Sequence, residues 1–447
     1  MYNQFLRAPD REAMLAAPVR SLILRLSLPS LIAMLATGLC TLLDGLLLAR
    51  QQSAISAAAG VCFPLIAAQQ AVGFTLGMGA GSHVSRAIGK GEETSARQAA
   101  ATALFAALLL GLLLMGAGRV FLTPLLGFLG APSDTLPHAA AYAAPLLYSF
   151  PFACSGLVLS SLLRAQGRTD LNLLAYLSAS VAGAALSFLL IPRFGTRGAG
   201  FSLLAREALA FLILAFASVR SRGLLRLHPS DVTLRLWVIP AVMRSGLPTL
   251  LRQGAMSLSG AMLSRAAARF GPAALSGMGL AARVLALITS AAIGFGQGFA
   301  PICGVCHGAG KTDRVREAYR FSLRVMTVSL AVLGALLFFL CTPLLSLLGS
   351  DAQVAAFAAR VLRAQSPVLA CQGAVILMNM LTQSRGETLR ASVIATSRQG
   401  IFLIPLILTL PRLFGEAGLI LCQSAADVLA LGLSHLVLKI DRKANRD

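Results

Sequence analysis

The chain repeats itself at a fixed distance of 219 residues, and no other feature constrains its fold as strongly. Leu28-Pro29 recurs as Leu247-Pro248 (248 − 29 = 219), and Thr123-Pro124-Leu125-Leu126 recurs as Thr342-Pro343-Leu344-Leu345. Gly60 pairs with Gly279, Gly77 with Gly296, Gly91 with Gly310 and Arg97 with Arg316. Gly167 and Thr169 match Gly386 and Thr388, and Pro192-Arg193 matches Pro411-Arg412. The matched residues are mainly Gly, Pro and loop Arg, which set backbone turns and depth in a membrane. Two copies of one bundle are therefore expected, with a functional site where the copies face each other.

The medium of that bundle follows from composition. Hydrophobic residues make up 57% of the chain and charged residues 12%, against about 25% charged in soluble domains; mean hydropathy is +0.78. Residues 101–118 hold no charge at all, and runs of this kind can cross a hydrocarbon core of about 30 Å. A formal net charge of +21 does not indicate nucleic-acid binding, because the basic residues occupy alternate loops rather than one face. They fall at Arg86, Lys90 and Arg97; at Arg164 and Arg168; at Arg220, Arg222, Arg226 and Arg235; at Lys311, Arg314, Arg316 and Arg320; at Arg385 and Arg390; and at Lys439, Arg442, Lys443 and Arg446. The loops near 125–138 and 343–352 hold neither Lys nor Arg. This alternation is the positive-inside pattern, with Arg50, Arg193, Arg197 and Arg412 as exceptions. It predicts a multi-pass protein of the inner (cytoplasmic) cell membrane, with both termini cytoplasmic and an even number of spans. The first 20 residues include Asp10 and Glu12 and do not read as a cleaved signal. Eight dispersed cysteines read as free thiols acting as small hydrophobes.

Six spans are expected per half, at about 21–49, 56–85, 98–120, 139–163, 171–191 and 199–219, then 246–269, 276–306, 319–341, 355–382, 391–410 and 417–438. The fold class is thus an all-α integral membrane protein, with twelve transmembrane helices in two parallel six-helix repeats around a central cleft. Residues 1–219 form one lobe, 220–245 a cytoplasmic linker containing His228-Pro229, and 246–447 the second lobe.

Two motifs invite enzymatic readings and fail. Cys303-Gly304-Val305-Cys306-His307 has haem-attachment spacing, but it ends a membrane helix and its repeat mate is Val84-Ser85-Arg86-Ala87-Ile88. Gly308-Ala309-Gly310-Lys311-Thr312 resembles a phosphate loop, but the required first glycine is Val305 and no strand precedes it. No HExxH or nucleophile–base grouping is visible, so no enzyme activity, cofactor or metal is expected. The informative polar residues are the intramembrane acids, each costly in lipid: Asp44, Glu207 and Asp427, the last two equally placed nine positions after Gly198 and Gly418. A carboxyl group in a low-dielectric site can exchange a proton near neutrality. Arg206 beside Glu207 could instead neutralise it; Asp44 has no basic residue within a helical turn. Gln69, Gln70, Gln253, Gln297, Gln372, Asn379 and Gln399 can line a cavity or serve as interhelical glue.

The sequence resembles the multidrug and toxic compound extrusion family of multidrug/cation antiporters. The resemblance is carried by Gly77-Met78-Gly79-Ala80-Gly81 with Ser85-Arg86 and Gly89-Lys90-Gly91, and by Gly294-Phe295-Gly296-Gln297-Gly298 with Pro301, Gly304 and Gly308-Ala309. Leu43-Asp44-Gly45, Arg164-Ala165-Gln166-Gly167 and residues 398–405 add to it, in order over about 21–438. The resemblance implies two six-helix lobes, alternating access and export of organic cations against H⁺ or Na⁺. This chain departs from the family at its fifth helix, where Gly183 and Ser187 replace a polar pair, and at Leu203 and Cys306. Glu207, one turn from Leu203, could supply the second carboxylate, making Asp44 and Glu207 a pair that shares a proton. The expectation is a monomeric secondary antiporter exporting amphipathic, cationic small molecules, with H⁺ favoured over Na⁺ as the coupling ion. Asp44 and Glu207 are its cation-coupling residues, and Gln297, Asn379, Arg398 and Asp427 its substrate contacts. The alternatives are a lipid-linked precursor flippase, for which Arg206, Arg252, Arg265 and Arg398 would supply a cationic cleft, and a transport-inactive scaffold.

Overall fold

A computed structural model describes residues 11–49, 58, 60–130, 132–220, 231–232, 238–347 and 351–444. Among these residues all regular secondary structure is helical. In hydrocarbon every backbone N–H and C=O must be satisfied within the protein, and a helix does this within one segment. The helices are α1 Arg11–Ala16, α2 Val19–Ala49, α3 Phe63–Lys90, α4 Glu93–Val120, α5 Leu122–Phe128, α6 Leu136–Ala165 and α7 Thr169–Arg220. The second half has α8 Val238–Ala268, α9 Pro272–Gly308, α10 Thr312–Leu347, α11 Ala352–Gln365, α12 Leu369–Arg385, α13 Thr388–Thr396 and α14 Leu403–Ala444. A 3-10 turn, Ser366–Val368, links α11 to α12, and a π-helical turn, Ser397–Phe402, links α13 to α14.

Among the described residues, eight helical stretches are long and apolar enough to cross a membrane. Two of them, α7 and the stretch from Thr388 to Lys439, are 52 residues long, far beyond the roughly 20 that one span needs. Each is broken by a glycine in the same non-helical conformation, Gly195 at φ 55, ψ −130 and Gly415 at φ 58, ψ −134. The chain folds back there: Gly198 lies against the Leu190 carbonyl oxygen and Gly418 against that of Leu410, contacts a straight helix cannot make over eight residues. The two hairpins raise the count to ten, and α3 and α8 complete the twelve. These two are less apolar because α3 carries Gln69, Gln70, His83 and Arg86, and α8 carries Arg244, Arg252, Gln253 and Arg265.

The repeat is visible in the backbone. Gly91 and Gly310 (φ 82 and 74) and Gly167 and Gly386 (φ 75 and 83) hold left-handed conformations at the 219-residue spacing. After the hairpin the spacing becomes 220 (415 − 195), a one-residue insertion that makes Glu207 and Asp427 equivalent. Several helices extend further toward the basic end than hydropathy indicates: α3 runs to Lys90, α4 starts at Glu93 and α9 ends at Gly308. The segment 220–245 expected as linker is helical from Val238 onward; residues 221–230 and 233–237, including His228-Pro229, lie outside the described residues, as do 50–57.

Among the described residues, the lobes pack most closely toward one end. The large shared core takes amino-terminal residues from Met14 to Leu26, Leu76 to Ala107 and Cys154 to Ala165, packed with carboxy-terminal residues such as Phe299 and Val305. The far end of the first lobe has its own core, from Leu48 and Leu65 to Leu126, Phe150 and Leu203. At the shared end the helices touch backbone to backbone. Gly298 of α9 sits on Ser27 of α2, Gly79 of α3 on Val242 of α8, and Gly246 of α8 on Thr75 of α3. Toward the other end Gly45, Gly254, Gly260 and Gly279 face open space.

Polar ties reinforce the closed end. The Arg86 guanidinium donates to the carbonyls of Gln383 and Ser384 (3.3 and 3.1 Å) and to Ser245 Oγ (3.3 Å), adding donors at the end of α12, where helical N–H groups run out. Helix α1 clamps both lobes: Arg11 Nη2 donates to Gly89 O at 2.9 Å, while Arg314 Nη2 donates to Ala17 O at 2.6 Å and Lys311 Nζ to Leu15 O at 3.1 Å. A Cβ at Gly298 would collide with the Ser27 backbone, whereas one at Gly279 meets nothing. Gly298→Ala is therefore expected to destabilise the protein by about 1–3 kcal/mol, as overpacking does, and Gly279→Ala to leave it within about 0.5 kcal/mol. Thermal unfolding of the two variants in detergent checks this.

Candidate functional site

The intramembrane acids Asp44, Glu207 and Asp427 fall in two clusters, one inside each lobe. In the first, the hairpin at Gly195 brings Ser187 on the incoming arm of α7 beside Ser202 and Arg206 on the outgoing arm, and α2 supplies Asp44. Ser187 Oγ donates to Asp44 Oδ1 at 2.6 Å and lies 3.1 Å from Ser202 Oγ. Arg206 Nη1 is 3.3 Å from Asp44 Oδ2 and 3.2 Å from Cys40 Sγ, one turn earlier on α2. Arg206 Nε lies 3.7 Å from Glu207 Oε1. The guanidinium is nearly buried, with a side chain 9% exposed against 19% for Asp44 and 21% for Glu207.

This geometry changes two expectations. Asp44 and Glu207 do not pair directly: Arg206 contacts both, so the expected proton-sharing dyad is a carboxylate–guanidinium–carboxylate triad. Ser187, expected to mark a lost partner, is a hydrogen-bond donor to Asp44. Gly183, the other departure, has a role in packing: a Cβ there would lie 3.1–3.3 Å from Arg206 side-chain carbons, so the absent side chain makes room for the arginine. With both carboxyls ionised, the triad has two negative charges and one positive, a formal net −1, in a medium where an uncompensated charge is costly.

The second cluster is built on Asp427, which is fully buried. It forms an ion pair with Arg398 and accepts a hydrogen bond from Gln365 Nε2. Ser424 Oγ reaches Ala364 O at 2.9 Å and Gln365 Oε1 at 3.1 Å. Arg398 stands in the π-helical turn, where one extra residue per turn shifts the facing of the side chains; the next residue, Gln399, accepts from Ser259 Oγ of α8 at 2.7 Å. One acid and one base leave this cluster with no net charge.

The remaining expected contacts lie elsewhere. Asn379 Nδ2 donates to Ala391 O at 2.7 Å and holds α12 to α13. Gln297 is buried at the lobe boundary and lines a small cavity there. The two expected coupling residues, Asp44 and Glu207, thus lie about one arginine in the first lobe, and the four expected substrate contacts are distributed between the second lobe and the interface. Arg206 as the bridge, Gln365 as an Asp427 partner, and Ser424 as the hydroxyl that holds Gln365, were missed. The pairing of Arg206 with Asp44 spans 162 positions, and local spacing shows only its contact with Glu207.

The fold and these clusters define a two-lobed, twelve-span membrane protein with a charged site inside each lobe. The MatE family model matches residues 29–189 and again 248–409, two segments whose starts are 219 apart (248 − 29). The chain belongs to this family, the multidrug and toxic compound extrusion proteins. It is 22% identical over 388 residues to the multidrug export protein MepA of Staphylococcus saprophyticus, covering 86% of this chain and 85% of that protein. Against MepA of Staphylococcus aureus it is 21% identical over 432 residues, 95% of each chain. Among solved structures it resembles the Vibrio cholerae MATE transporter VcmN at a TM-score of 0.89 and 21% identity, covering 95% of this chain and 97% of that one. It also resembles a MOP superfamily transporter from Pyrococcus furiosus at 0.92 and 20%, covering 99% and 100%.

Removing the bridging charge tests the triad. Arg206→Met leaves two carboxylates without a counter-charge, and breaking a buried pair in this way costs about 3–5 kcal/mol, reduced here because both acids are partly exposed. Combining it with Asp44→Asn and Glu207→Gln is expected to restore much of the loss, since the three residues act as a unit. Melting temperatures of the single and triple variants measure this; equal losses in both would show that the charges do not interact.

Proposed function

We propose that this protein is a secondary antiporter that exports amphipathic small molecules in exchange for H⁺, by alternating access between its two lobes. The carrying observation is the net −1 triad of Asp44, Arg206 and Glu207 inside the first lobe. One proton makes that cluster neutral, so its occupancy can be coupled to conformation. The relatives' names support export: the staphylococcal proteins are multidrug export proteins.

With the end bearing Arg86, Lys90, Lys311 and Arg314 taken as cytoplasmic, the lobes are closed toward the cytoplasm and open toward the outside. A multidrug resistance MATE family transporter solved in an outward-facing conformation is similar at a TM-score of 0.91 and 21% identity. In this reading the outward-open protein takes a proton onto the triad and releases substrate. Closure of the outer end and separation of the glycine-faced contacts then expose the cavity to the cytoplasm, where substrate binds and the proton leaves. H⁺ is preferred over Na⁺ because Asp44 already has both oxygens engaged, by Ser187 and by Arg206, and a sodium ion needs several oxygen ligands free at once. The expected substrate is an organic cation, and Asp427 with Arg398 is the expected polar contact in the second lobe.

The test is transport of a fluorescent organic cation in reconstituted liposomes, with H⁺ and Na⁺ gradients imposed separately. The H⁺ gradient is expected to drive transport in the wild type, and Asp44→Asn and Glu207→Gln to abolish that drive. Transport driven by Na⁺ alone would overturn the coupling ion, and unchanged H⁺-driven transport in both variants would overturn the triad's role.

A further inference from the structure

The cavity at the lobe boundary lies on the axis that relates the two repeats. Its lining residues are repeat mates: Met78 with Gln297, Ser82 with Pro301, and Ala165 with Ser384, each 219 apart. It sits at the closed end, between α3 and α6 of one lobe and α9 and α12 of the other. Its volume is about 20 Å³, enough for a single water-sized particle and too small for a drug or a nucleotide.

The lining is cationic. Arg164 is 3% exposed, and its guanidinium donates only to hydroxyls among the described residues: to Ser160 Oγ, and to Ser161 Oγ at 2.7 Å. No carboxylate pairs with it there. Its place in the last turn of α6 lets the helix C-terminus offset part of the charge, but a buried guanidinium without a counter-ion remains costly. Arg86 adds to the positive field, since its guanidinium is bound to the backbone of Ser384. Gln297 is 2% exposed, makes no hydrogen bond to the described protein, and leaves Oε1 buried and unpartnered. Nε2 of the same amide supplies two N–H donors.

We propose that this cavity binds one halide ion, chloride under ordinary conditions, held by the Arg164 guanidinium, the Gln297 amide and the hydroxyls of Ser161 and Ser82. A monatomic anion fits the volume and supplies the missing counter-charge; a tetrahedral oxyanion does not fit. The repeat mate of Arg164 is Gln383 (383 − 164 = 219), which is satisfied by Ser245 O and Thr249 Oγ1, so there is one such charge on the axis. Because the ligands come from both lobes, the ion binds only while the lobes are together at this end. Chloride therefore stabilises this conformation over the opposite one by mass action.

The test uses purified full-length protein in detergent at constant ionic strength, with gluconate replaced stepwise by chloride, bromide or sulfate. The melting temperature is expected to rise saturably with chloride and bromide and not with sulfate. Crystals grown in bromide should show an anomalous peak beside Arg164. Gln297→Met, which copies its repeat mate, should raise the half-saturating chloride concentration about tenfold, the loss of one hydrogen bond to a charged group; Arg164→Gln should abolish the response. If Arg164→Gln does not fold, the bromide peak and Gln297→Met decide. A flat halide response with no bromide peak, an equal response to sulfate, or an unaltered response in Gln297→Met would each overturn the site, the first leaving a water in the cavity.

Discussion

The structure depends on the direct backbone contact of two lobes across glycines. Gly298 on Ser27, Gly79 on Val242 and Gly246 on Thr75 bring helices of opposite lobes closer than any side chain would permit. In a membrane no hydrophobic force drives apolar helices together, so close packing and the polar ties it allows must hold them. The Arg86 bridge and the α1 clamp are reachable only because the helices approach this closely. The same contacts are confined to one end, which leaves the rest of the interface free to separate. A rocking motion about such an interface needs no change inside either lobe.

Within each lobe, the hairpin at Gly195 or Gly415 does comparable work. Folding back on one residue in a glycine-only conformation sets the two arms in contact, and the polar residues of the two arms meet. In the first lobe this joins Ser187 to Ser202 and lets Arg206 fill the space over Gly183. In the second, the outgoing arm carries Asp427 to Arg398 and Gln365. Glu207 and Asp427 are equivalent in the repeat, yet the first lobe's cluster is net negative and the second is neutral. That difference arises because Arg398 of the second lobe has Ala179 as its equivalent, while Arg206 and Asp44, whose charges cancel, are matched by Ala426 and Leu263. Duplication thus supplied the frame, and divergence at a few positions separated the chemistry of the halves.

Much of the fold was legible in the sequence because membrane spans obey one-dimensional rules. Length and apolarity report a span, glycine and proline report its ends, and the duplicated pattern reports both twice. The ends were less legible, as at Glu93 and Val238, because helices continue past the lipid where hydropathy has no information. The sites were only half legible. Asp44, Glu207, Arg398 and Asp427 stand out as charges where charges are costly. Their partners do not, since a serine, a cysteine or a glutamine in a span has many innocuous uses.

By itself, the sequence determined the membrane setting, the twelve-span count, the duplication and the candidate charges, all of which follow from composition and spacing along the chain. Only the tertiary structure decided which charges meet. Arg206 reaches Asp44 across 162 positions because Gly183 leaves it room, which turns an expected carboxylate pair into a triad. It also decided which end is closed and placed Gln297 on the axis between the lobes rather than beside Asp427. The physical reason is that desolvated charges interact over a few ångströms in space, and that proximity is set by helix packing rather than by separation in sequence.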